Sequence, residues 1–185
     1  VQTEHMKSFD RDDERSLTRL LQRARLGELK ALAICDHDGL DNAKALRARA
    51  PGDLLIVVGQ KIETDAGSII GLFLHEAVRS TQVHEVIRDI RSQGGLVCLP
   101  HPFRGRSSVA RDVVDAVDVV EIANGHSQGL NYKEEKFADR ELVSFAREHR
   151  KTGIGSSEAH GLQSIGQVRT YVPDFSGEEA LKLIL

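Results

Sequence analysis

The chain has 185 residues, 40% of them hydrophobic, which is enough for one hydrophobic core and short for two. We therefore expect a single domain over residues 1–185. The 25 Lys and Arg residues nearly balance the 28 Asp and Glu residues, and a net charge of -3 gives no electrostatic basis for sequence-independent nucleic-acid binding, although a local basic loop is not excluded. No apolar run approaches the ~20 residues that span a bilayer, and no signal-peptide pattern is present, so we expect a cytoplasmic protein without a membrane partner.

Helical and β-type patterns alternate along the first half of the chain. An amphipathic helix that ends at Gly27 is followed by a strand over about 30–36, a helix from Asp41 to Ala50 and the apolar run LLIVVG. Such a continuous apolar run is typical of a strand that is buried on both faces of a parallel sheet. The segment KIETDAGSIIGLFL then predicts a hairpin that turns at residues 65–67.

The second half continues the same alternation. Its predicted elements are a helix ended by Gly94-Gly95, the strand LVCLPHP, a short helix and a strand ending near Asn124, a helix capped by Asn131 and reaching Arg150, the strand of TGIGSSEAH, the strand VRTYV, and a terminal helix that opens at Ser176. Repeated strand-then-helix order predicts a parallel sheet with helices outside it. About seven core strands are expected besides the hairpin partner. An open doubly wound sheet and a small closed barrel both fit this order.

Ionisable residues favour the barrel, because they gather at the carboxyl ends of the predicted strands. These positions are His5, Asp36, His37, Glu63, His101, Glu121, Asn124, Glu158 and His160. In a parallel barrel all such ends converge on one face, where active sites are found. Imidazole and carboxylate groups from several strands are the ligands that divalent metal ions use. The pattern therefore predicts a metal site on that face.

The same segments resemble, in order, the motifs of the PHP (polymerase and histidinol phosphatase) domain of metal-dependent phosphoesterases. The segment ALAICDHDGLDNAKAL resembles its Asp-His motif, IVVGQKIETDAGSIIGLFL its Gly-x-Glu segment, GGLVCLPHPF its Pro-His-Pro motif, VVEIAN its Glu-x-x-Asn strand and GSSEAHGLQSIG its Ser-Asp-Ala-His motif. The resemblance runs through nearly the whole chain. It implies an α/β fold, a distorted seven-stranded (β/α) barrel of the PHP type, with a metal centre that hydrolyses phosphate esters.

By this resemblance the expected metal ligands are His5, Asp12, His37, Glu63, His101, Glu158 and His160. Glu63 is expected to bridge two ions, and the family's early acid corresponds to Asp12 or Asp13. One or two ions of Mn, Zn or Fe suit such a mixed site. A metal-bound hydroxide would then attack the phosphorus of a small phosphate ester, a nucleotide or a similar molecule.

The chain also departs from the family pattern. In TEHMKS, His5 aligns with the first residue of the usual His-x-His pair and Lys7 with the second, although Thr3 and His5 can also be aligned with the pair. Ser68 stands where many relatives carry a His or an acid, and Glu158 replaces the usual Asp of the last motif. At least one ligand of the usual set is therefore missing.

Two functions remain open at this point. In the first, the chain is an active phosphoesterase in which Lys7 and Arg104 take part in catalysis, and Arg104, Arg106, Asn124 and His126 bind the phosphorylated substrate. In the second, the chain is a catalytically degenerate PHP-like module that binds phosphate or nucleotide ligands. An ammonium group at Lys7, directed toward Glu63 and Glu158, could then take the place of one ion.

Overall fold

The computed structural model describes residues 1–6, 9–37, 39–104, 108–125 and 139–185, with only the backbone of His5. Its helices are α1 (Glu14–Leu26), α2 (Asp41–Arg49), α3 (Val83–Ser92), α4 (Arg111–Ala116), α5 (Arg140–Glu148) and α6 (Glu178–Ile184). Its strands are β1 (Ala31–Asp36), β2 (Leu55–Thr64), β3 (Gly67–Leu72), β4 (Leu96–Leu99), β5 (Val119–Asn124) and β6 (Thr152–Ser156). Short 3-10 turns occupy Thr3–His5 and Leu162–Ser164. None of the described helices has the length and apolar character needed to cross a membrane.

The six strands form one sheet in the order β1-β2-β3-β4-β5-β6. Strand β3 is antiparallel to both of its neighbours, whereas β1 pairs with β2, β4 with β5, and β5 with β6 in parallel. The carboxyl ends of β1, β2, β4, β5 and β6 therefore share one edge. This arrangement confirms the predicted α/β class, the hairpin and the convergence of strand ends.

The described residues contain six strands, fewer than the seven core strands and hairpin partner that the sequence predicts. Residues 168–172, predicted as the strand VRTYV, have an irregular backbone, so that prediction was wrong. The segment lies beside β6, but the Thr170 hydroxyl forms the contacts: it donates to the Gly155 carbonyl oxygen and accepts from the Gly155 N–H. A side chain thus replaces the backbone ladder of a strand pair.

Two predicted helix starts also differ from the structure. Helix α5 follows Asp139, whose carboxylate accepts hydrogen bonds from the N–H groups of Glu141 and Leu142. The predicted cap, Asn131, lies outside the described residues. The last helix is preceded by Gly177 at φ 86°, a left-handed conformation that glycine adopts readily, and not by a capping Ser176 side chain.

The N-terminal residues contact the chain at both edges of the sheet, which shows that the sheet is curled. The Val1 nitrogen donates to the Ala33 carbonyl oxygen at 3.0 Å, and the Cys35 N–H donates to the Val1 carbonyl oxygen at 2.8 Å. The next residue, Gln2, donates its N–H to Ala159, just after β6, at 3.2 Å. Residues 1–2 therefore lie between the first strand and the chain that follows the last.

Alternate residues along the strands face two different cores, as the two-residue period of a strand requires. On the outer face, Ile34, Ile56 and Val58 pack with buried residues of the helices. The inner face carries a second cluster of Cys35, Val57, Leu72, Phe73, Cys98, Val119 and Leu181. Both cysteines are buried and unbridged, and burial raises the pKa of Cys35 to about 11.

A pair of carboxyl groups fastens the N-terminal segment to the end of β1. Asp36 is buried and accepts hydrogen bonds from the Thr3 hydroxyl and from the Asn42 amide, the latter at 2.8 Å. Burial, together with a hydrogen bond to Asp36 and its negative charge, raises the pKa of Glu4 to about 8. Burial alone would raise the pKa of Asp36, but hydrogen bonds from Glu4, Thr3 and Asn42 outweigh it and lower that pKa. Glu4 is thus the proton-carrying partner.

This proton predicts the pH dependence of a Glu4→Gln variant. Folded Glu4 keeps its proton up to a pKa of about 8, whereas an unfolded Glu ionises near 4.5, so raising the pH through this window favours the unfolded state. The Gln amide retains a donor toward Asp36 without an ionisable proton. We expect Glu4→Gln to exceed the wild type in urea midpoint at about pH 8.5 and to lose this advantage by about pH 5.

The exposed Glu148→Gln change in α5 is the matched control, and its midpoint should differ from that of the wild type by the same amount at every pH. All other titrating groups are common to the three proteins. Parallel midpoint curves for Glu4→Gln and the wild type would show that Glu4 does not hold a proton in the folded chain.

Candidate functional site

Charged and polar side chains meet at the edge where the parallel strands end. Lys61 and Glu63 come from the end of β2, Glu121 and Asn124 from β5, and Glu158 from the loop after β6. His101 and Arg104 follow β4. This edge also contains most of the ionisable residues that the sequence places at strand ends.

At the centre of this edge, Glu158 lies between two cations. Lys61 donates from Nζ to Glu158 Oε1 at 3.3 Å. Arg104 donates from Nη1 to Oε1 at 3.2 Å and from Nη2 to Oε2 at 2.8 Å, the two-pronged geometry that suits a guanidinium and a carboxylate. We call these three residues the Lys61–Glu158–Arg104 cluster.

The cluster is largely buried, so each of its charges must be compensated by an opposite charge nearby. The side chains of Lys61 and Glu158 are each only 9% exposed, whereas that of Arg104 is 37% exposed. Burial by itself raises the pKa of Glu158, but Arg104 above all, and then Asn124 and Lys61, lower it to about 2. Glu158 is therefore ionised at neutral pH, and both of its oxygens accept hydrogen bonds from cations.

Glu121 is buried beneath the site, and its carboxylate has its own hydrogen-bond donors. Its carboxylate accepts from the His101 backbone N–H at 2.7 Å, from the Asn124 amide at 2.9 Å and from the Ser156 hydroxyl. Burial raises the pKa of Glu121, and these hydrogen bonds oppose the rise. The network ties β5 to β6 and to the loop after β4.

His101 has an unusual backbone and an unusual imidazole. Its φ of 29° and that of Glu158, 40°, lie in the left-handed region that non-glycine residues rarely adopt, and such strain concentrates at functional sites. The His101 Nε2 atom is buried without a hydrogen-bond partner among the described residues. Burial, then the charges of Arg104 and Lys61, lower its pKa to about 4, so the ring is neutral at pH 7.

A cavity of about 980 Å³ opens from this edge into the space inside the curled sheet. Lys61, His101, Glu121, Asn124 and Glu158 line its polar part. Its remaining lining is mainly apolar and includes residues of the inner core such as Val57, Leu72 and Phe73. The cavity therefore has a charged end at this edge and a largely apolar interior, and other charged residues, among them Lys30, Asp53 and Arg169, line it elsewhere.

The expected site residues lie in several different settings. His37 lies beside Glu4, to which its N–H donates at 3.1 Å, and His160 Nε2 lies 2.7 Å from Gln2 Oε1. Asp12 is exposed in the turn before α1. Glu63 is 60% exposed and accepts hydrogen bonds from Ser68. The predicted residues that lie outside the described part, or have an undescribed side chain, are His5, Lys7, Arg106 and His126.

The described residues do not fit a centre of several metal ions at Glu158. Within the described ranges, no three His, Cys, Asp or Glu side chains are grouped closely enough to hold an ion. Glu158 already accepts from two cations, and the Lys61 ammonium lies 3.3 Å from Oε1, where it would repel an ion bound by the same carboxylate. The described residues therefore offer no ligand set for a metal ion at this position.

Sequence reasoning missed Lys61, although the sequence contained a signal for it. Lys61 interrupts the apolar strand LLIVVG-QKI on the inner face, two residues from Gly59 and two from Glu63. If the Gly-x-Glu motif begins at Gly59, Lys61 stands at the position of its Glu. Glu63 follows two residues later, on the same face of the strand. The ammonium expected from Lys7 near Glu63 and Glu158 is thus supplied, in the described part of the chain, by Lys61.

Comparisons of the sequence find two relatives in Methanocaldococcus jannaschii. The uncharacterized protein MJ0417 is 32% identical over 146 residues, which cover 72% of this chain and 54% of that protein. The uncharacterized protein MJ1587 is 30% identical over 116 residues, 60% of this chain and 68% of that protein. The chain thus spans about half the length of MJ0417 and two thirds of MJ1587.

Comparisons of the structure find the same fold in solved proteins. A two-domain protein containing a predicted PHP-like metal-dependent phosphoesterase from Bacteroides vulgatus matches with a TM-score of 0.60 and 18% identity, over 80% of this chain and 48% of that one. A protein assigned as a metal-dependent phosphoesterase from Bifidobacterium adolescentis matches with a TM-score of 0.56 and 15% identity, over 91% and 89%. An amidohydrolase from Chromobacterium violaceum, solved with sulfate and no metal, has a TM-score of 0.52 and 15% identity, over 80% and 83%.

The family comparison agrees with the fold and with the order of the motifs. Residues 131–184 match the PHP-associated family. The curled α/β sheet of this chain is similar to those of the PHP-like structures. The chain therefore carries a PHP-associated segment over residues 131–184 and has the fold of PHP-like proteins.

Proposed function

We propose that this chain binds the phosphate group of a small phosphate ester, a nucleotide or a similar molecule, at the edge where the parallel strands end. The Lys61–Glu158–Arg104 cluster is the observation that carries the proposal. It holds two cations against one carboxylate, and Arg104 is the partly exposed member. A guanidinium fixed in this way is preorganised to bind a second, bidentate oxyanion.

Two neighbouring acids, Glu63 and Glu121, have hydrogen-bond partners outside the Lys61–Glu158–Arg104 cluster. Glu63 is mostly exposed, and its nearest carboxylate oxygen lies 4.0 Å from Lys61 Nζ, so water screens much of its charge. Glu121 is satisfied by Ser156, Asn124 and the His101 N–H. Asn124, which contacts Arg104 at 3.4 Å, lies where its amide can contact the same phosphate. Arg106 and His126 remain proposed as further phosphate contacts.

The cavity supplies a place for the organic part of the ester. Its charged end contains Lys61, His101 and Glu158, and its apolar part can accommodate a base or another hydrophobic group.

We also propose that residues 1–185 form one domain and that the sheet closes into a seven-stranded barrel. In this barrel, residues 1–2, which lie beside β1, would take the place of the seventh strand.

A second candidate is hydrolysis of the bound ester, and His101 favours it. His101 lines the cavity, its imidazole is neutral, and its Nε2 atom is buried without a hydrogen-bond partner among the described residues, so Nε2 can accept a proton from an attacking water that reaches it. The metal-dependent form of this reaction, with one or two ions of Mn, Zn or Fe, would need ligands other than the Glu158 carboxylate, which two cations already occupy. A bound ion would supply a water of lowered pKa.

Arg104→Ala should weaken binding of phenyl phosphate and inorganic phosphate by about tenfold to hundredfold, because a charged hydrogen bond contributes about 1.5–3 kcal/mol. Calorimetric titration measures this loss. Arg25→Ala removes an exposed arginine that pairs with Asp53 at 3.2 Å, and it should bind both probes as the wild type does. Equal affinity in the two variants, or no saturable binding by the wild type, would refute the phosphate site.

His101→Asn should separate hydrolysis from binding. Asparagine tolerates the left-handed backbone at this position and keeps the N–H that binds Glu121, but it removes the imidazole. If the chain hydrolyses aryl phosphates, we expect turnover to fall by about 100-fold or more, with phosphate affinity and melting temperature little changed. Hydrolysis that persists at the wild-type rate in this variant would remove His101 from the reaction.

A further inference from the structure

We propose that the Lys61 ammonium, held with Arg104 against Glu158, replaces a divalent ion in this PHP domain, so that the site forms and keeps its acids neutralised without a metal. The inference concerns how the site is assembled. It stands or falls separately from phosphate binding, because it concerns the charge at position 61 and not the ligand.

Lys61 lies near the end of β2, is 7% exposed overall, and has its side chain on the inner face, as Val57 does. A buried ammonium is costly unless a counter-charge compensates it. Glu158 Oε1 at 3.3 Å and Glu63 Oε1 at 4.0 Å are the counter-charges in the described part of the chain.

Lys61 stands where the Gly-x-Glu motif has its acid. A Gly-x-Glu sequence counted from Gly59 would place a carboxylate at residue 61, on the same face as Glu63 and beside Glu158. Three carboxylates so placed would form a set of hard oxygen ligands for a divalent ion. With Lys61 present, the same position contributes a positive charge in place of a negative one.

The Lys61 ammonium and a divalent ion cannot both bind the Glu158 carboxylate closely. An ammonium and a divalent ion that share the Glu158 carboxylate would repel one another across a few ångströms of poorly screened space. Arg104 adds a second positive charge to the same carboxylate, with Nη2 at 2.8 Å. Any ion at this position must therefore displace two ion pairs that are already formed.

The test compares metal binding by the wild type and by a Lys61→Glu variant in phosphate-free buffer. We expect Mn²⁺ or Zn²⁺ to bind Lys61→Glu at least about tenfold more tightly than the wild type in calorimetric titration. The variant should melt at a lower temperature in EDTA and recover in Mn²⁺, whereas the melting temperature of the wild type should be the same in both.

Lys61→Met is the matched control, since it removes the charge and keeps a similar length. It should lower the melting temperature without creating any response to Mn²⁺. If Lys61→Glu is unfolded in EDTA, refolding in Mn²⁺ replaces the melting comparison. The proposal is overturned if the wild type is stabilised by Mn²⁺ as strongly as Lys61→Glu is, if Lys61→Met responds equally, or if no ion restores Lys61→Glu.

Discussion

Burial of the Glu158 carboxylate is the constraint on which the candidate site depends. Its partners come from three other places: Lys61 from β2, Arg104 from the loop after β4, and Asn124 from the end of β5, next to Arg104. Removing one partner of a buried ion pair typically costs about 3–5 kcal/mol, because the remaining charge is left uncompensated. Arg104 contributes most to keeping Glu158 ionised, and the buried Lys61 depends in turn on Glu158 as its counter-charge. The cluster therefore fixes the relative positions of three strand ends.

Two other acids of this edge, Asp36 and Glu121, are hydrogen-bonded to their own donors. Asp36 accepts from Thr3 and Asn42 at the end of β1. Glu121 accepts from Ser156, Asn124 and a backbone N–H, and thereby holds His101 at a φ of 29°. Such prior satisfaction leaves little reorganisation for a ligand to induce. The His101 Nε2 atom, buried without a hydrogen-bond partner among the described residues, differs from this pattern.

Local patterns predicted most of the fold because strand and helix periods are read from neighbouring residues. The reversed direction of β3 followed from its turn at residues 65–67, which is too short for a parallel crossover. The segment 168–172 was misassigned because Thr170 binds β6 through its hydroxyl, and no local pattern reveals that. The same limit applies to the site. Strand ends predicted which edge carries the chemistry, but the pairing of Lys61 with Glu158 joins residues 97 positions apart and depends on how the sheet curls.

The exchange of a metal charge for an ammonium changes which chemistry such a site can support. Both an ammonium and a divalent ion attract phosphate oxygens, but only the ion binds water closely enough to lower its pKa toward neutrality. A lysine and an arginine therefore preserve phosphate recognition and remove the usual source of a hydroxide nucleophile. With the pKa of Glu158 at about 2, its ion pairs persist throughout the neutral range, so protonation of this carboxylate does not release the cations there. Any hydrolysis by this chain must then draw its base from another group, and the neutral His101 imidazole beside the cluster is the candidate that the described residues offer.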